Sequence, residues 1–290
     1  NKPFSYLVTY SRFPTETNIY NKDGDFVSNL QKVPLIEELP KGFMSVRTGK
    51  RSFSWRPDKG ASLTYVTALD SGDPSKKVDF RDEVYELNYP FSGKGKFILK
   101  TINRFSGIDW GTKDMAIAYD TWWNTRNRKS YVFNPSNPNI KPKIISDRNY
   151  QDTYSDPGNF LRSRNEFNRS VLKMHYGNIF LRGQGFSPSG QFPFIDKVNT
   201  KTFEKTRVYQ SSYTDKIESI IDYDPKKNQL TVSIESPSEY PNYYTKKVKS
   251  GKLEKLTNLK NPFLQDEGTH TLARMGRIPT RRRCYGAEAL

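Results

Sequence analysis

The stretch "RSFSWRPDKGASLTYV", residues 51–66, contains two runs of β-type residues separated by a turn. Trp55 ends the first run, and Leu63 and Tyr65 resume the pattern in the second. Between them, Pro57 fixes its own φ angle and Gly60 tolerates left-handed backbone conformations. This stretch therefore predicts two antiparallel strands joined by a short turn.

The same unit of strand, turn and strand recurs further along the chain. The later copies are "FSGIDWGTKDMAIAYD" (105–120), "RSVLKMHYGNIFLRGQ" (169–184) and "IESIIDYDPKKNQLTVSIES" (217–236). A third strand follows each copy, and then a shorter, more polar fourth strand. The predicted fourth strands are "GKFILKT", "KPKIIS", "EKTRVYQ" and "LEKLTN". Four antiparallel strands per repeat are typical of a β-propeller blade, in which we expect apolar inner strands and a wet outermost strand.

The predicted fold class is therefore all-β, an incomplete β-propeller with four complete four-stranded blades and a partial one. The partial blade is the hairpin "ETNIYNKDGDFVSNLQ", residues 16–31. A β-sandwich or a series of meanders also gives regularly spaced strands and stays open as an alternative. We assign residues 1–263 to the propeller segment. Strand alternation stops beyond it, so residues 264–290 are assigned to an appended or non-native tail.

The composition excludes some classes of function but does not select one. The 290 residues carry a formal net charge of +16, which fits nucleic acid, anionic surfaces and acidic substrates alike. The lone Cys284 excludes an internal disulfide, and the distant His175 and His270 make a zinc site improbable. No apolar run is long enough to cross a bilayer. We predict no metal, no cofactor and no membrane span.

Several motifs occur in one order from residue 2 to about residue 263 and resemble a known family. They include "KPFSYLVTYSRFP", "GFMSVRTGKRSFSWRPD", "RFSGIDWGTKDMAIAYDTWWNTRNRKSYVFNP" and "DRNYQDTYSDPGNF". Together they resemble the propeller of a serine peptidase of the prolyl oligopeptidase group, nearest the glutamyl endopeptidase branch. The resemblance implies an α/β-hydrolase partner domain carrying Ser, Asp and His, a peptide substrate, and a periplasmic or secreted location.

The hydrolase domain is not found in this sequence. Such a domain needs Gly-x-Ser-x-Gly between a strand and a helix. The nearest string, Gly185 to Gly190, has a different spacing, contains Pro188 and precedes no predicted helix. We therefore expect this chain alone to be catalytically inactive, with a non-catalytic role in gating and binding substrate.

Two arginine-rich stretches are candidates for binding an acidic substrate. "RSRNEFNR" (162–169) supplies Arg162, Arg164 and Glu166, and "VRTGKR" (46–51) supplies Arg47 and Arg51. The planar guanidinium of Arg matches a carboxylate with two parallel hydrogen bonds. Arg164 is the preferred candidate. The structural alternative is that these arginines tie neighbouring blades together through Asp or Glu.

Two other functions stay open. One is a stand-alone propeller that binds a protein or peptide with no enzyme attached. The other is a nucleic-acid binder, indicated by "TWWNTRNRKSY" (121–131), where Trp122 and Trp123 adjoin Arg126, Arg128 and Lys129. Packing between blades explains the tryptophans and a solvated loop tip explains the cations, so we predict no nucleic-acid partner. The lysine-rich run 246–260 is interpreted as protection of a sheet edge.

Overall fold

A computed structural model describes residues 5–262 and is built almost entirely of β-strands. The predicted tail, residues 264–290, lies outside the described residues. A single turn of 3-10 helix occupies Tyr10–Arg12. The chain divides into two compact units: unit 1 holds Asn1–Ser155 and Arg162–Met174, and unit 2 holds Asp156–Leu161 and His175–Leu290.

Unit 1 contains a two-stranded hairpin and two four-stranded antiparallel sheets. The hairpin pairs β1 (Thr15–Tyr20) with β2 (Phe26–Val33). The first sheet comprises β3 (Arg51–Trp55), β4 (Ser62–Ala68), β5 (Asp82–Asn88) and β6 (Lys96–Thr101). The second comprises β7 (Arg104–Thr112), β8 (Met115–Trp122), β9 (Asn127–Phe133) and β10 (Lys143–Asn149). Both sheets pair their strands in chain order, which confirms the predicted blades and the partial blade.

The hairpin β1–β2 forms because its turn is tied by one side chain. The Oδ1 atom of Asn21 accepts hydrogen bonds from the backbone N–H groups of Asp23 and Asp25, both at 2.9 Å. Gly24 has a φ angle of 91°, which a residue with a Cβ rarely adopts. This turn fixes the register that brings Ile19 and Leu30 into a buried cluster with residues of the first sheet.

The core of unit 1 lies between its two four-stranded sheets. Val66, Val84 and Ile98 of the first sheet pack in one cluster with Trp110 and Tyr131 of the second. In the first sheet, the most deeply buried strands are the middle ones and not β3 at its edge. Strand β3 is mostly exposed, whereas Ser62–Val66 of β4 are all buried. A middle strand has neighbours on both edges, and an edge strand has a neighbour on only one.

The third repeat differs from its prediction at the first strand. Its strands are β11 (Asn159–Phe160), β12 (Arg162–Arg164), β13 (Ser170–Leu172), β14 (Met174–His175), β15 (Asn178–Gly183), β16 (Phe186–Ser187), β17 (Gly190–Gln191), β18 (Phe194–Asn199) and β19 (Lys205–Gln210). The sheet runs β11-β15-β18-β19. "RSVL" was predicted to begin this blade, but its last three residues form β13, which pairs with β12 in a separate hairpin. The hairpin β12–β13 therefore interrupts the blade after β11 and folds into unit 1.

The fourth repeat in unit 2 matches its prediction. The sheet runs in chain order through β20 (Ile217–Asp224), β21 (Gln229–Ser236), β22 (Glu239–Lys247) and β23 (Leu253–Lys255). Its core contains Ile220, Leu230 and Val232 together with Ile195 of β18. Strand β23 is exposed throughout, as expected for the outermost strand. With its repeated four-stranded antiparallel sheets, the fold is an all-β propeller.

Candidate functional site

The predicted stretch "RSRNEFNR" lies in the hairpin β12–β13, which we call the arginine hairpin (residues 162–172). Its strands pair Arg162 with Leu172 and Arg164 with Ser170. Asn165 closes the turn, because its Oδ1 atom accepts hydrogen bonds from the backbone N–H groups of Phe167 and Arg169 at 3.1 and 2.9 Å. The stretch thus comprises β12 and the turn that follows it.

The arginine hairpin is anchored on the turn of residues 56–60. The Nδ2 atom of Asn165 donates a hydrogen bond to the Pro57 carbonyl at 2.8 Å. The Nη1 atom of Arg169 donates to the Arg56 carbonyl at 3.2 Å. The hairpin also packs on β7, where a Cβ at Gly111 would lie only 3.2 Å from Cδ1 of Leu172. Polar contacts at the tip and apolar contacts at the base thus hold the hairpin in place.

The turn that receives the hairpin is itself held by buried charges. The Arg56 guanidinium lies 3.1 Å from the Glu86 carboxylate and 4.0 Å from the centre of the Trp110 ring. Burial pushes the pKa of Glu86 upward, but hydrogen bonds from Lys59 and Ser62 and the charge of Arg56 hold that pKa below its ordinary value. Glu86 therefore stays ionised and keeps the turn in place.

Beside the arginine hairpin lies a groove of about 770 Å³, which we call the cationic groove. Its wall is formed by the β1–β2 hairpin, by β3 with the turn after it, by the segment after β5 and by the arginine hairpin. The lining residues are Ile19, Tyr20, Asn21, Lys22, Val27, Trp55, Pro57, Ala61, Tyr89, Phe91, Arg164, Asn168, Arg169 and Ser170. Three of them carry a positive charge and none carries a carboxylate, so the groove is complementary to an anion.

Like Arg169, Arg164 is an exposed groove arginine whose guanidinium donates one hydrogen bond to a backbone carbonyl. Its Nη1 atom donates one hydrogen bond, to the Asn168 carbonyl at 2.9 Å, and the residue is exposed. Within residues 5–262, no carboxylate pairs with it. A guanidinium has five N–H donors, so most of the donors of Arg164 face solvent or the groove. Arg164 can therefore meet a carboxylate with two parallel hydrogen bonds.

The other predicted residues of this stretch have different surroundings. Arg162 pairs with the buried carboxylate of Asp109, which also accepts a hydrogen bond from the Tyr119 hydroxyl at 2.7 Å. Burial, together with the negative charge of Asp109, raises the pKa of Tyr119. Arg162 thus joins the hairpin to β7 and does not line the cationic groove. Glu166 is exposed at the tip of the hairpin.

Arg47 and Arg51 lie apart from the cationic groove. The side chain of Arg51 is only 11% exposed and forms an ion pair with Asp82, which is fully buried. Burial and the neighbouring charge of Arg51 lower the pKa of Arg47. Neither residue lines the groove beside Arg164. The Arg51–Asp82 pair joins β3 to β5 within one sheet, so this contact ties strands of one blade and not neighbouring blades.

Arg51 belongs to a larger cluster, the buried Arg–Asp network (Arg51, Asp70, Arg81, Asp82 and Arg104). Arg104 holds Asp70 with two hydrogen bonds of 2.9 and 2.7 Å, and its Nη1 lies 3.2 Å from Asp82. Arg81 adds a bond of 2.8 Å to Asp70. Because Arg104 begins β7 while Asp82 begins β5, this network joins the two sheets of unit 1.

The remaining functional motifs take structural positions. The guanidinium of Arg81 lies 3.9 Å from the centre of the Trp122 ring. The guanidinium of Arg126 lies 3.8 Å from the centre of the Trp123 ring. These rings already have a cation of the chain on one face. In the lysine run, Lys246 is buried and its Nζ lies 2.8 Å from Glu218, so edge protection does not describe that lysine.

Ser187, in the string from Gly185 to Gly190, lies in the two-residue hairpin β16–β17. Its hydroxyl donates to the Gly190 carbonyl at 3.0 Å. This context differs from the strand–turn–helix of a nucleophile elbow. Across residues 5–262, no group of three or more metal-ligating side chains converges, and no helix in that range is long and apolar enough to cross a membrane.

Sequence reasoning missed most of the cationic groove. Lys22, Trp55 and Tyr89 lie far apart in the sequence and meet only after the strands have paired. Trp55 was recognised as the end of a strand, and its 49% exposure is the property that the pattern did not reveal. The alternation of β3 shows which residues share a face, but it does not show which face stays open.

Comparison with known proteins places the chain among peptidase relatives. No family model matches the sequence. Rice (Oryza sativa subsp. japonica) has a protein described as "Probable glutamyl endopeptidase, chloroplastic", which is 33% identical over 281 residues. This chain resembles the glutamyl endopeptidases. An Arabidopsis thaliana protein with the same description is 31% identical, and both matches cover 91% of this chain. The chain spans about 30% of the length of these relatives.

Solved structures with a similar chain path include peptidase propellers. The β-propeller domain of the trilobed protease from Pyrococcus furiosus matches 71% of this chain and 57% of its own, with 14% identity and a TM-score of 0.39. Dipeptidyl peptidase 4 from Porphyromonas gingivalis matches 71% of this chain and 30% of its own, with 14% identity and a TM-score of 0.42. The predicted resemblance to a peptidase-associated propeller is confirmed by the plant glutamyl endopeptidases.

Proposed function

We propose that this chain is the non-catalytic propeller of a glutamyl endopeptidase and that its cationic groove binds acidic peptides. The observation that carries the proposal is Arg164, an exposed arginine with most of its donors unused, in a groove without a carboxylate. The relatives' description as glutamyl endopeptidases supports a substrate with a glutamate side chain. Residues 1–263 form the propeller segment in this proposal, and a hydrolase domain outside this chain performs the cleavage.

Binding follows from the geometry of the groove. A glutamate carboxylate accepts two hydrogen bonds from Arg164, while Arg169 adds positive potential around it. Lys22 adds less, because its Nζ atom lies 3.6 Å from the carboxylate of Asp23. Because Arg169 is held by the Arg56 carbonyl, its charge stays near the groove when the groove is empty. The propeller thereby concentrates acidic segments and passes them to the hydrolase domain, which is the gating role that the resemblance implies.

The compartment belongs to the same proposal. The resemblance to the prolyl oligopeptidase group predicts a periplasmic or secreted protein, whereas the two plant relatives are described as chloroplastic. Fractionation of the native host cells, followed by immunoblotting for this chain, distinguishes an exported protein from one retained inside the cell.

The binding proposal is tested by replacing Arg164. Titration of this chain with a glutamate-containing peptide gives a dissociation constant, and Arg164→Ala is expected to raise it about tenfold, a loss of about 1.4 kcal/mol. Arg164→Lys keeps the charge but loses the planar guanidinium, so it restores only part of the affinity. In a protein that includes the hydrolase domain, Arg164→Ala is expected to raise KM for the same peptide.

The matched control is Lys113→Ala, which removes an exposed cation outside the groove. This variant has the same net charge as Arg164→Ala and is expected to bind the peptide as the wild type does. Equal dissociation constants for wild type and Arg164→Ala, with Glu and Gln peptides bound alike, would refute the proposed role of the groove.

A further inference from the structure

We infer that the cationic groove reads two features of a peptide, an acidic side chain and a large apolar or aromatic side chain close to it. This inference rests on the proposed function, because it extends the substrate class of the same site. It follows from the apolar part of the groove wall, which takes no part in binding the carboxylate. That surface is made of aromatic and aliphatic side chains, and it lies beside the arginines.

Trp55 and Tyr89 form the aromatic side of the groove, and both are held by Phe91. The Trp55 and Phe91 rings are 5.6 Å apart at 85°, and those of Tyr89 and Phe91 are 6.1 Å apart at 84°. Phe91 is 4% exposed, whereas Trp55 and Tyr89 are 49% and 73% exposed. A buried ring thus orients two exposed rings, both of which line the groove.

The β1–β2 hairpin supplies the facing apolar residues. Ile19 is 7% exposed and belongs to the buried cluster, and Val27 packs against that cluster. Tyr20 is 56% exposed, and its ring meets that of Phe26 at 6.0 Å and 79°. A large apolar side chain placed between these residues and Trp55 has several of its faces removed from water at once, which favours binding.

The charge of the groove lining indicates that the ligand with the apolar group is also acidic. All three charged groups in the lining, Lys22, Arg164 and Arg169, are cations. A purely apolar ligand leaves the exposed guanidinium of Arg164 without an anion, and a purely acidic ligand leaves Trp55 and Tyr89 in water. A peptide with both groups satisfies both surfaces, so it is the occupant that the lining fits.

Four peptides of one length and sequence, differing at two neighbouring positions, test this inference on the intact chain. They carry Glu with Phe, Glu with Ser, Gln with Phe, and Gln with Ser, and their dissociation constants are measured by titration calorimetry. We expect Phe→Ser in the peptide to weaken binding about three- to tenfold. Glu→Gln is expected to weaken it by the factor that Arg164→Ala produces.

Replacing the aromatic side of the groove separates the two features. Trp55→Ala is expected to abolish the difference between the Phe and Ser peptides while the difference between Glu and Gln remains. Tyr89→Ala, at a more exposed ring, is a second variant with the same expected direction, and Trp55→Phe is expected to restore most of the preference. Trp123→Ala is the control, since Trp123 is 43% exposed but lies outside the groove.

The outcomes distinguish this inference from the function on which it rests. Equal affinity for the Phe and Ser peptides, with the preference for Glu retained, would overturn the apolar specificity and leave the acidic site standing. Equal affinity for Glu and Gln peptides would overturn the proposed function and this inference with it. Displacement of the best peptide by single-stranded oligothymidylate, lost on raising salt, would identify the groove as a nucleic-acid site instead.

Discussion

Arg104 and Arg164 have the same side chain but opposite surroundings, and both lie in unit 1. Arg104 is 4% exposed and makes hydrogen bonds to Asp70 and Asp82 within the buried Arg–Asp network. Arg164 is exposed and donates one bond, to a backbone carbonyl. An arginine whose donors are used by buried carboxylates holds strands together, whereas one whose donors remain open can bind a ligand. Residue type alone therefore does not separate these roles.

Among the variants that test this comparison, Arg104→Ala is expected to have the largest effect on stability. Removal of the guanidinium leaves the fully buried carboxylates of Asp70 and Asp82 with fewer partners, so we expect a loss of about 3–5 kcal/mol in the free energy of unfolding. Urea denaturation followed by tryptophan fluorescence measures this loss. Arg164→Ala is the matched control and is expected to change the free energy of unfolding by less than about 0.5 kcal/mol. Similar losses in the two variants would contradict the distinction drawn here.

A smaller effect is expected at the attachment of the arginine hairpin. Asn165→Ala removes the bond to the Pro57 carbonyl and the side-chain acceptor of the turn, so we expect about 1–2 kcal/mol of local destabilisation. Limited trypsin digestion after Arg164 and amide hydrogen exchange of residues 164–170 report this opening. Glu166→Ala, at the exposed tip of the same turn, is expected to leave both rates unchanged. Faster exchange in both variants would mean that the turn is not held by Asn165.

The smallest effect is a pH dependence of stability that comes from the buried tyrosines Tyr65 and Tyr85 of the first sheet. Burial, with the neighbouring charge of Glu83, raises the pKa of Tyr65 and Tyr85 to about 12, from an ordinary value near 10. Between about pH 10 and pH 12 the unfolded chain therefore loses protons that the folded chain keeps, so stability is complete below pH 10 and falls as the pH rises. Urea denaturation at a series of pH values measures this slope. Tyr85→Phe is expected to reduce this slope, and a slope equal to that of the wild type would exclude Tyr85 as a cause.

The blades could be predicted because each one is local in sequence. A turn such as residues 56–60, flanked by alternating apolar residues, specifies a hairpin wherever it occurs. The first strand of the third repeat could not be predicted in the same way, since Val171 and Leu172 have the apolar character of a blade strand. They are buried in unit 1 instead. Periodicity reveals that a segment is buried but not which sheet buries it.

The candidate site was predictable only in part for the same reason. Arg164 was selected because arginine suits a carboxylate, and the structure places it in the cationic groove. Arg51 was selected by the same chemistry, but its charge is matched by Asp82. Lys22 and Tyr89 had no sequence signal, because their proximity depends on how the β1–β2 hairpin packs on the first sheet. Pairing with a carboxylate distant in sequence decides which arginine is spare, and that pairing is a property of the tertiary structure.

The arginine hairpin belongs to unit 1 although the chain before and after it belongs to unit 2, and this affects which gene fragments encode a complete unit. The polypeptide passes from one unit to the other after Ser155, returns after Leu161 and leaves again after Met174. A gene fragment that stops at Ser155 thus encodes the sheets of unit 1 without Arg164 and Asn165, and one that begins at Asp156 carries the hairpin away from its receptor at Pro57. A single break after Met174 keeps the whole of unit 1 in one fragment but removes Asp156–Leu161 from the rest of unit 2, so no single break keeps both units intact.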